Sequence, residues 1–291
     1  MPVFITGGTG YIGASVVREL RRRTHVVRAL ARSDAAAERL RGLGAVHVLG
    51  TIDDAGVLRD EAAAADAVVH CAFDYAGDAV ALERTALDAM LSALPAGHAF
   101  VYTSGVWVYG SRADAVVDED APTAPLPIVA WRPAHEALVL SHGDRIRPVV
   151  IRPGVVYGDG GGIPGQMVAA AERGELSIAG DGANRWPTVR HDALAELYGA
   201  AVDLRVARGV YNAVRGASVP YAEIARAASR AAGGDGTFTR MTLDDARAAM
   251  GPFADALACD LQVDSGKAAR ELRWEPHRPT LLEELSNTTV V

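Results

Sequence analysis

The sequence predicts an α/β protein with a doubly wound parallel sheet and a smaller, mainly helical C-terminal lobe. Short apolar runs alternate with helix-length segments from the N-terminus to residue 152. The glycine-rich stretch TGGTGYIG, residues 6–13, lies directly between the first apolar run and the first helical segment. After residue 152 the alternation gives way to glycine-rich loops and helical segments. Strands that are buried on both faces and joined by helical crossovers produce this order.

Six apolar runs are predicted to be the strands of the sheet. Between the first two, Ile12, Val16 and Leu20 recur every fourth residue and would lie on one face of a helix against the sheet. Strands in this order with helical crossovers favour the doubly wound class. The runs are VFIT, HVVRAL, AVHVL, DAVVH, AFVYT and PVVIR, at residues 3–6, 25–30, 45–49, 66–70, 99–103 and 148–152.

The C-terminal part of the chain predicts a second, smaller unit. Helical segments are expected after Ser218, a candidate N-cap, and from near Thr242 and Ser265. We therefore expect a sheet domain over residues 1–154, to which residues 183–213 return. The substrate-binding lobe is expected to consist of residues 155–182 and 214–291.

Composition and charge narrow the classes of function. The chain has 291 residues, of which 49% are hydrophobic, and its formal net charge is −7. An acidic chain without a basic cluster offers little to a polyanion, so we expect neither nucleic acid nor a membrane as a partner. No apolar run has the length of a membrane span, and the N-terminus begins directly with a predicted strand. The two cysteines fit neither a disulfide framework nor a metal site, which predicts a cytoplasmic protein without a metal.

The glycine-rich loop predicts a dinucleotide site of the Rossmann type. Gly7 permits the tight turn, Gly10 lets the backbone approach a pyrophosphate, and Gly13 allows the helix to pack closely on the strand. The unpaired N–H groups and the dipole at the start of the helix favour the phosphates. The other predicted cofactor contacts in this loop are Thr9, Tyr11 and Ile12.

The end of the second strand favours NADP over NAD. In the segment LARSD, Ala31 leaves no carboxylate where an NAD enzyme places an Asp or Glu for the adenosine ribose. Arg32 and Ser33 offer a cation and a hydroxyl to a 2′-phosphate instead. The alternatives are that Arg32 is simply solvated or pairs with Asp34. We predict NADP(H) as the cofactor, with NAD as the less favoured choice.

Six motifs along the chain share the pattern of one enzyme superfamily. They are TGGTGYIG, VVHCAF (68–73), VYTSGVWVYG (101–110), IRPGVVYG (151–158), RHDALAE (190–196) and DSGKAARELRWEP (264–276). The chain resembles, nearly end to end, the extended short-chain dehydrogenases/reductases, a group that includes nucleotide-sugar epimerases and dehydratases. The resemblance implies a small-molecule substrate and, because members often dimerise, a homodimer. It also implies cofactor contacts from Thr51, Ile52, Cys71, Ala72, Phe73, Thr103, Pro153, Gly154, Val155 and Val156.

The chain departs from that superfamily at its active-site positions. The catalytic tyrosine and lysine of the superfamily align with Trp131 and His135. Its active-site hydroxyl aligns with Gly105, and Ser104 is the candidate to replace it if the backbone shifts by about 3.3 Å along the strand. The chain is thus identified as an atypical member that lacks the Tyr-x-x-x-Lys pair.

Other side chains are candidates for the missing proton chemistry. An indole N–H is no practical proton shuttle, so Trp131 is predicted to be an aromatic wall. His135 stands where the superfamily's ribose-binding lysine would be and is a candidate for catalysis and for cofactor contact, since histidine is a common acid or base in enzymes; the alternative is a histidine on the helix surface. Pro133 favours a helix that starts just before it. Asp74 and Tyr75 follow the fourth strand at the sheet edge where ligands bind.

The predicted substrate contacts are mostly aromatic residues in the loops at the same edge of the sheet. For the tyrosines that precede a glycine, packing is the alternative. For the cluster formed by Arg190, His191 and Asp192, structural salt-bridging is the alternative. The predicted substrate residues are Trp107, Tyr109, Trp131, Tyr157, Trp186 and Arg190.

The sequence therefore predicts an NADP(H)-binding biosynthetic enzyme of the oxidoreductase, epimerase or dehydratase type. Its substrate is expected to be small and organic or sugar-like, and its acid or base nonstandard. One alternative is a non-redox isomerase, cyclase or lyase of secondary metabolism on the same fold. Another is a catalytically inactive NADP(H)-binding sensor, since a fold does not determine a function.

Overall fold

The computed structural model describes residues 1–73, 78–113 and 115–287. Asp74 and Tyr75 lie outside the described residues. Within them the strands are β1 (Pro2–Thr6), β2 (Val26–Ala31), β3 (Val46–Leu49), β4 (Ala67–His70), β5 (Ala99–Thr103), β6 (Val116–Val117), β7 (Arg147–Pro153), β8 (Val155–Gly158), β9 (Ser177–Ala179), β10 (Arg185–Trp186), β11 (Thr188–Arg190), β12 (Gly209–Ala213), β13 (Val219–Pro220), β14 (Thr239–Met241) and β15 (Gln262–Val263).

The helices of the described residues connect and cover these strands. They are α1 (Tyr11–Arg22), α2 (Asp34–Gly42), α3 (Ala55–Ala63), α4 (Ala79–Ala93), α5 (Arg132–Leu140), α6 (Gly162–Glu172), α7 (His191–Asp203), α8 (Tyr221–Ala231), α9 (Leu243–Met250), α10 (Phe253–Leu257), α11 (Gly266–Leu272) and α12 (Leu281–Asn287). Two 3₁₀ turns span Val106–Tyr109 and Pro127–Val129. None of the helices described is both long enough and apolar enough to span a membrane.

The central sheet confirms the predicted α/β class. In the described part of the chain it has seven parallel strands in the order β12-β7-β5-β4-β1-β2-β3. The six predicted strands are all present, and β12 is a seventh that was not predicted. The strand order reverses between β1 and β4, and ligands of doubly wound sheets bind beyond the carboxyl ends of the strands at this point.

The two faces of the sheet carry separate apolar layers. Along β1, Val3 and Ile5 join the layer that contains α1 and α7, whereas Phe4 joins the layer formed by α3, α4 and α5. Alternate residues of a strand point to opposite faces, so a strand covered on both faces is apolar throughout. In α1, Val16 and Leu20 are fully buried, as their predicted spacing required.

A third apolar cluster forms the C-terminal lobe. It joins β8 and α6 to α8, α9, α10 and α12. The predicted helix starts near Thr242 and Ser265 are confirmed, since these residues are the N-caps of α9 and α11. The predicted N-cap Ser218 is wrong: the N-cap of α8 is Pro220, because residues 219–220 pair with β10 before the helix begins.

Candidate active site

The glycine loop between β1 and α1 is closely packed. Gly7 has a φ of 73°, in the left-handed region, and its carbonyl accepts a hydrogen bond from Gly10 N at 2.9 Å. A Cβ atom added to Gly13 would lie 2.1 Å from that same carbonyl oxygen, closer than any side chain tolerates. The N-cap Gly10 provides no side-chain cap for α1. The first N–H groups of α1 are therefore left to an outside acceptor such as a phosphate.

The loop after β2 is placed at the surface beyond the glycine loop. Arg32 is exposed, and no ion pair joins it to Asp34 in the described part of the chain. The Ser33 hydroxyl caps α2 by accepting a hydrogen bond from Ala36 N at 3.2 Å. The Ser33 hydroxyl still has its own proton to donate, so Ser33 as well as Arg32 has a donor on the exposed surface, and their contact with a 2′-phosphate stays a prediction.

A second arginine reaches the glycine loop from α2. Arg39 Nη2 donates to Thr9 O at 3.1 Å, and the Arg39 side chain is exposed. Nearby, the Thr51 hydroxyl donates to the Asp53 carboxylate, and Ile52 is half-buried against the apolar layer of α3 and α4. Arg39 was not among the predicted cofactor contacts, although its position in the helical segment after Arg32 and Ser33 can be seen in the sequence.

A cavity of about 480 Å³ opens at the carboxyl ends of the central strands. Its wall combines the start of α1, the segments that follow β4 and β5, the loop after β7, and residues of the lobe. Twelve predicted site residues lie in this wall: Ile12, Cys71, Ala72, Phe73, Thr103, Ser104, Trp107, Trp131, Pro153, Gly154, Val155 and Val156.

The aromatic wall of the cavity is formed by Trp131 and Phe73. Their rings stack with centroids 4.8 Å apart and an interplanar angle of 4°. Trp131 is the N-cap of α5, so the helix begins at Arg132, as Pro133 predicted. Arg132 lies against both rings, its Cζ atom 4.4 Å from the centroid of Trp131 and 5.6 Å from that of Phe73. Its Nη1 donates to Thr103 O at 2.9 Å.

His135 is buried and is not part of the cavity wall. Its Nδ1 lies 2.9 Å from Glu83 Oε2, and its ring packs edge-on against Trp131. The interpretation of His135 as a surface histidine is therefore wrong, because α5 turns this position toward α4. His135 as a catalytic or cofactor residue would have to act through Glu83, which does line the cavity.

Glu83 is the centre of a buried polar group. The Tyr102 hydroxyl donates to Glu83 Oε1 at 3.4 Å, and His70 Nε2 lies 3.6 Å from the same oxygen. His70 Nδ1 in turn lies 2.7 Å from Thr6 Oγ1. Burial acts to raise the pKa of Glu83, but hydrogen bonds with His135 and His70 hold it below its ordinary value of 4.5. Glu83 is therefore a carboxylate at neutral pH.

Ser104 belongs to a second buried group. Its hydroxyl donates to Glu136 Oε1, and Arg152 binds the same carboxylate through Nε at 3.0 Å and Nη2 at 2.5 Å. Arg152 Nη1 also donates to the Tyr109 hydroxyl at 2.7 Å, and that hydroxyl donates to Asn212 Oδ1 at 2.8 Å. Glu136 and Arg152 thus fix Ser104 at the cavity wall and hold Tyr109 in the packing behind it.

Four predicted substrate residues lie away from the cavity wall. Tyr109 is fully buried, and burial raises its pKa. The Tyr157 hydroxyl donates to Pro279 O at 2.7 Å. Trp186 stacks on Tyr221 in the lobe. Each side chain is turned inward because its polar atom finds a protein partner there.

Arg190 is the fourth of these residues. Its guanidinium binds three carboxylates, those of Asp159, Asp192 and Glu284. The Asp159 carboxylate also lies 3.1 Å from Nε2 of His191. These ion pairs join the loop after β8 to the start of α7 and to α12. They correspond to structural salt-bridging, the alternative given for this cluster.

Cys71 lines the cavity but is a poor nucleophile. Burial raises the pKa of its thiol to about 12, against hydrogen bonds that lower it. The Thr103 hydroxyl lies 3.3 Å from the sulfur and 2.7 Å from the Tyr198 hydroxyl. Among the described residues, no group of three His, Cys, Asp or Glu side chains is arranged to hold a metal ion.

The charged residues around the cavity were not among the predicted site residues. Arg132 and Glu136 lie inside the segment WRPAHE, in which the predicted site residues were Trp131 and His135. Glu83 is an isolated acidic residue in an apolar helical segment, ALERTAL, and this pattern was available as an indication of a buried charge.

The fold and the site define a class: the protein is an extended, atypical short-chain dehydrogenase/reductase. The parallel sheet, the glycine loop at its first helix and the cavity over the strand ends are the features of that class. Residues 3–213 match the model of the NAD dependent epimerase/dehydratase family, and the chain belongs to that family.

Known relatives resemble this chain over most of its length. The uncharacterized protein YLL056C of Saccharomyces cerevisiae is 30% identical over 297 residues, covering 98% of each chain. The epimerase family protein SDR39U1 of Bos taurus is 30% identical over 253 residues, covering 80% of this chain and 81% of its own. The crystal structure of human SDR39U1 (isoform 2) with NADPH has a TM-score of 0.80 at 25% identity, covering 98% of this chain and 99% of that chain.

Proposed function

We propose that the protein binds NADP(H) and catalyses a reaction of the oxidoreductase, epimerase or dehydratase type on a small organic or sugar-like substrate. The observation that carries the proposal is the contact between Gly13 and Gly7. A Cβ at Gly13 has no room, so the start of α1 stays close to β1 with its N–H groups directed outward. The cofactor-binding part is proposed to be residues 1–154 with 183–213, and the substrate lobe residues 155–182 and 214–291.

The preference for NADP(H) rests on positive charge beside the glycine loop. Arg32 and Arg39 are both exposed there, and no acidic residue ends β2. The human relative SDR39U1 was crystallised with NADPH, which supports the same cofactor here. When bound, the cofactor supplies or accepts a hydride. The chain itself would orient the cofactor with the loop after β7, whose Gly154 and Val155 line the cavity.

The substrate is proposed to lie between the aromatic wall and Ser104. Since the Ser104 proton is donated to Glu136, the Ser104 oxygen keeps lone pairs that can accept a hydrogen bond from a substrate hydroxyl. Trp107 and Trp131 would exclude water from the cavity. Among the described residues, His135 touches the cavity wall through Glu83 and Trp131, so a proton could pass between His135 and the cavity through the Glu83 carboxylate.

The test is a pair of titrations, one with NADPH and one with NADH. Binding is monitored by fluorescence energy transfer from the protein's tryptophans to the bound dinucleotide. NADPH should bind at least about ten-fold more tightly, since a charge-assisted contact with a phosphate contributes about 1.5–3 kcal/mol. Arg32→Ala should remove most of the preference, and Arg173→Ala, an exposed arginine elsewhere, should not change it. Failure to bind either dinucleotide would end the proposal, and equal affinities would end the preference for NADP(H).

A non-redox enzyme on the same fold is the second candidate, and the ionised Glu83 at the cavity wall favours it. A carboxylate can act as the base of an isomerase or a lyase without any hydride transfer. Net NADPH consumption with a panel of carbonyl compounds would identify a reductase. An epimerase or a dehydratase returns the hydride to its substrate and consumes no cofactor overall, so with nucleotide sugars the absorbance of the bound cofactor is followed during turnover, and it changes only in a redox mechanism. A protein that binds NADPH and converts no substrate would be a sensor.

A further inference from the structure

Among the described residues of the cavity wall, one carries a permanent positive charge, and the proposed function leaves its role open. Arg132 lies in the cavity wall, half-buried, with Nη1 bonded to Thr103 O at 2.9 Å. Among the described residues, no carboxylate lies within 4.0 Å of its guanidinium, whereas the nearby buried Arg152 is paired with Glu136. A guanidinium has five N–H donors, so Arg132 has donors left for a ligand.

The position of Arg132 makes a cation that has no carboxylate partner within 4.0 Å among the described residues costly. It is the first residue of α5, where the helix dipole favours negative charge, and the first turn of α5 has no acidic residue. The guanidinium lies over the rings of Trp131 and Phe73, and these contacts, together with its bond to Thr103 O, restrain it before any ligand arrives. A fixed cation at this end of a helix is stabilised when an anion binds beside it.

The neighbouring carboxylates are already engaged. Glu83, which acts on Arg132 through its charge, accepts a hydrogen bond from Tyr102 and bonds His135, and His70 stands 3.6 Å away. Glu136 is bound at both oxygens by Arg152. Neither carboxylate is arranged as the counter-ion of Arg132 in the described structure.

The rest of the cavity wall defines the body of the ligand. Beside Trp131 and Phe73, the side chains of Trp107, Val155 and Phe253 give a largely apolar lining. We propose that Arg132 binds the carboxylate of a small organic acid whose flat, apolar body lies against this aromatic wall. The inference rests on the proposed function, since this acid would be its substrate. The planar fork of Arg132 matches the two oxygens of a carboxylate.

The experiment compares acids with their neutral amides of the same shape. Benzoate and benzamide, and phenylacetate and phenylacetamide, are titrated into the full-length protein by calorimetry, both without cofactor and with saturating NADPH. The affinity for each carboxylate should exceed the affinity for its amide by a factor of about ten or more. Arg132→Gln should remove this preference, Arg132→Lys should keep part of it, and the control Arg173→Gln should leave it unchanged. Circular dichroism and melting temperature check that each variant is folded.

The outcomes separate this inference from the proposed function. Equal affinities for acid and amide in the wild type, or an unchanged preference in folded Arg132→Gln, would overturn the inference. So would an Arg132→Gln variant that binds benzoate normally and NADPH weakly, because the guanidinium would then serve the cofactor. A wild type that prefers benzoate but does not bind NADPH would support the carboxylate site and refute the cofactor proposal.

Discussion

Replacing Gly13 by alanine should damage both the fold and the cofactor site. The added Cβ would lie 2.1 Å from Gly7 O and 2.7 Å from Gly7 C, which are backbone atoms that cannot rotate away. To restore an ordinary contact, α1 must retreat from β1 by about 1 Å. Overpacking of this kind costs about 1–3 kcal/mol. For a chain of this length we expect the melting temperature to fall by roughly 2–5 °C.

The same displacement should weaken NADPH binding by about ten-fold or more, since the phosphates are held by N–H groups at the start of α1. Two matched variants separate the effects. Gly42→Ala, at the end of α2 with nothing within 4 Å, should be neutral or stabilising. Gly10→Ala meets only Gly7 O at 3.2 Å, so it should lower affinity more than stability.

The assays are scanning calorimetry and NADPH titration on the three variants side by side. Equal melting temperatures and equal NADPH affinities for Gly13→Ala and Gly42→Ala would refute the claim that close packing of α1 on the glycine loop forms the cofactor site.

Three further predictions concern the buried charges and the thiol. Glu136→Ala leaves the buried Arg152 without its carboxylate and should lower the free energy of unfolding by about 3–5 kcal/mol, measured with urea, whereas Glu175→Ala at an exposed pair should cost under about 1 kcal/mol. The folded pKa of Glu83 lies below its ordinary 4.5, so its carboxylate contributes stability that is complete above pH 4.5 and is lost as the pH falls through the depressed pKa. Urea unfolding from pH 3 to 7 should therefore show an acid limb that Glu83→Gln flattens, and an unchanged limb would contradict this. Burial raises the pKa of Cys71 to about 12, so its thiol should resist alkylation by iodoacetamide at pH 8 in the folded protein. Rapid labelling of Cys71, detected by mass spectrometry, would show that the pKa of this thiol is not raised to that extent.

The sheet could be predicted because its strands are apolar on both faces. Residues 3–5 show the reason: Val3 and Ile5 enter one apolar layer and Phe4 the other, so three consecutive residues of β1 are apolar. β12, with the sequence GVYNA, escaped prediction because a glycine and an asparagine interrupt its apolar run. It is ordered as a strand by pairing with β7, a contact between residues about 60 positions apart.

The glycine loop could be predicted because the backbone determines its geometry. The substrate residues could not, because their role depends on the direction of each side chain. Gly7 and Gly13 are recognisable because their conformation and contacts admit no other residue. The direction of Trp186, by contrast, depends on Tyr221 and on Leu257 O, which accepts from its indole N–H at 2.9 Å. Such partners come together only in the folded chain, so a local motif cannot show whether an aromatic residue faces a cavity or a core.

The start of α5 has a consequence for any attempt to install the superfamily's tyrosine and lysine at positions 131 and 135. Trp131 stacks on Phe73 as an N-cap, and His135 is committed to Glu83 in a buried group. Tyrosine and lysine substituted at these two positions would place the lysine against Glu83, behind the wall, and would leave the tyrosine outside the helix that begins at Arg132. These two substitutions alone would therefore not place a Tyr-x-x-x-Lys pair at the cavity, because each residue of the segment depends on the packing of the others.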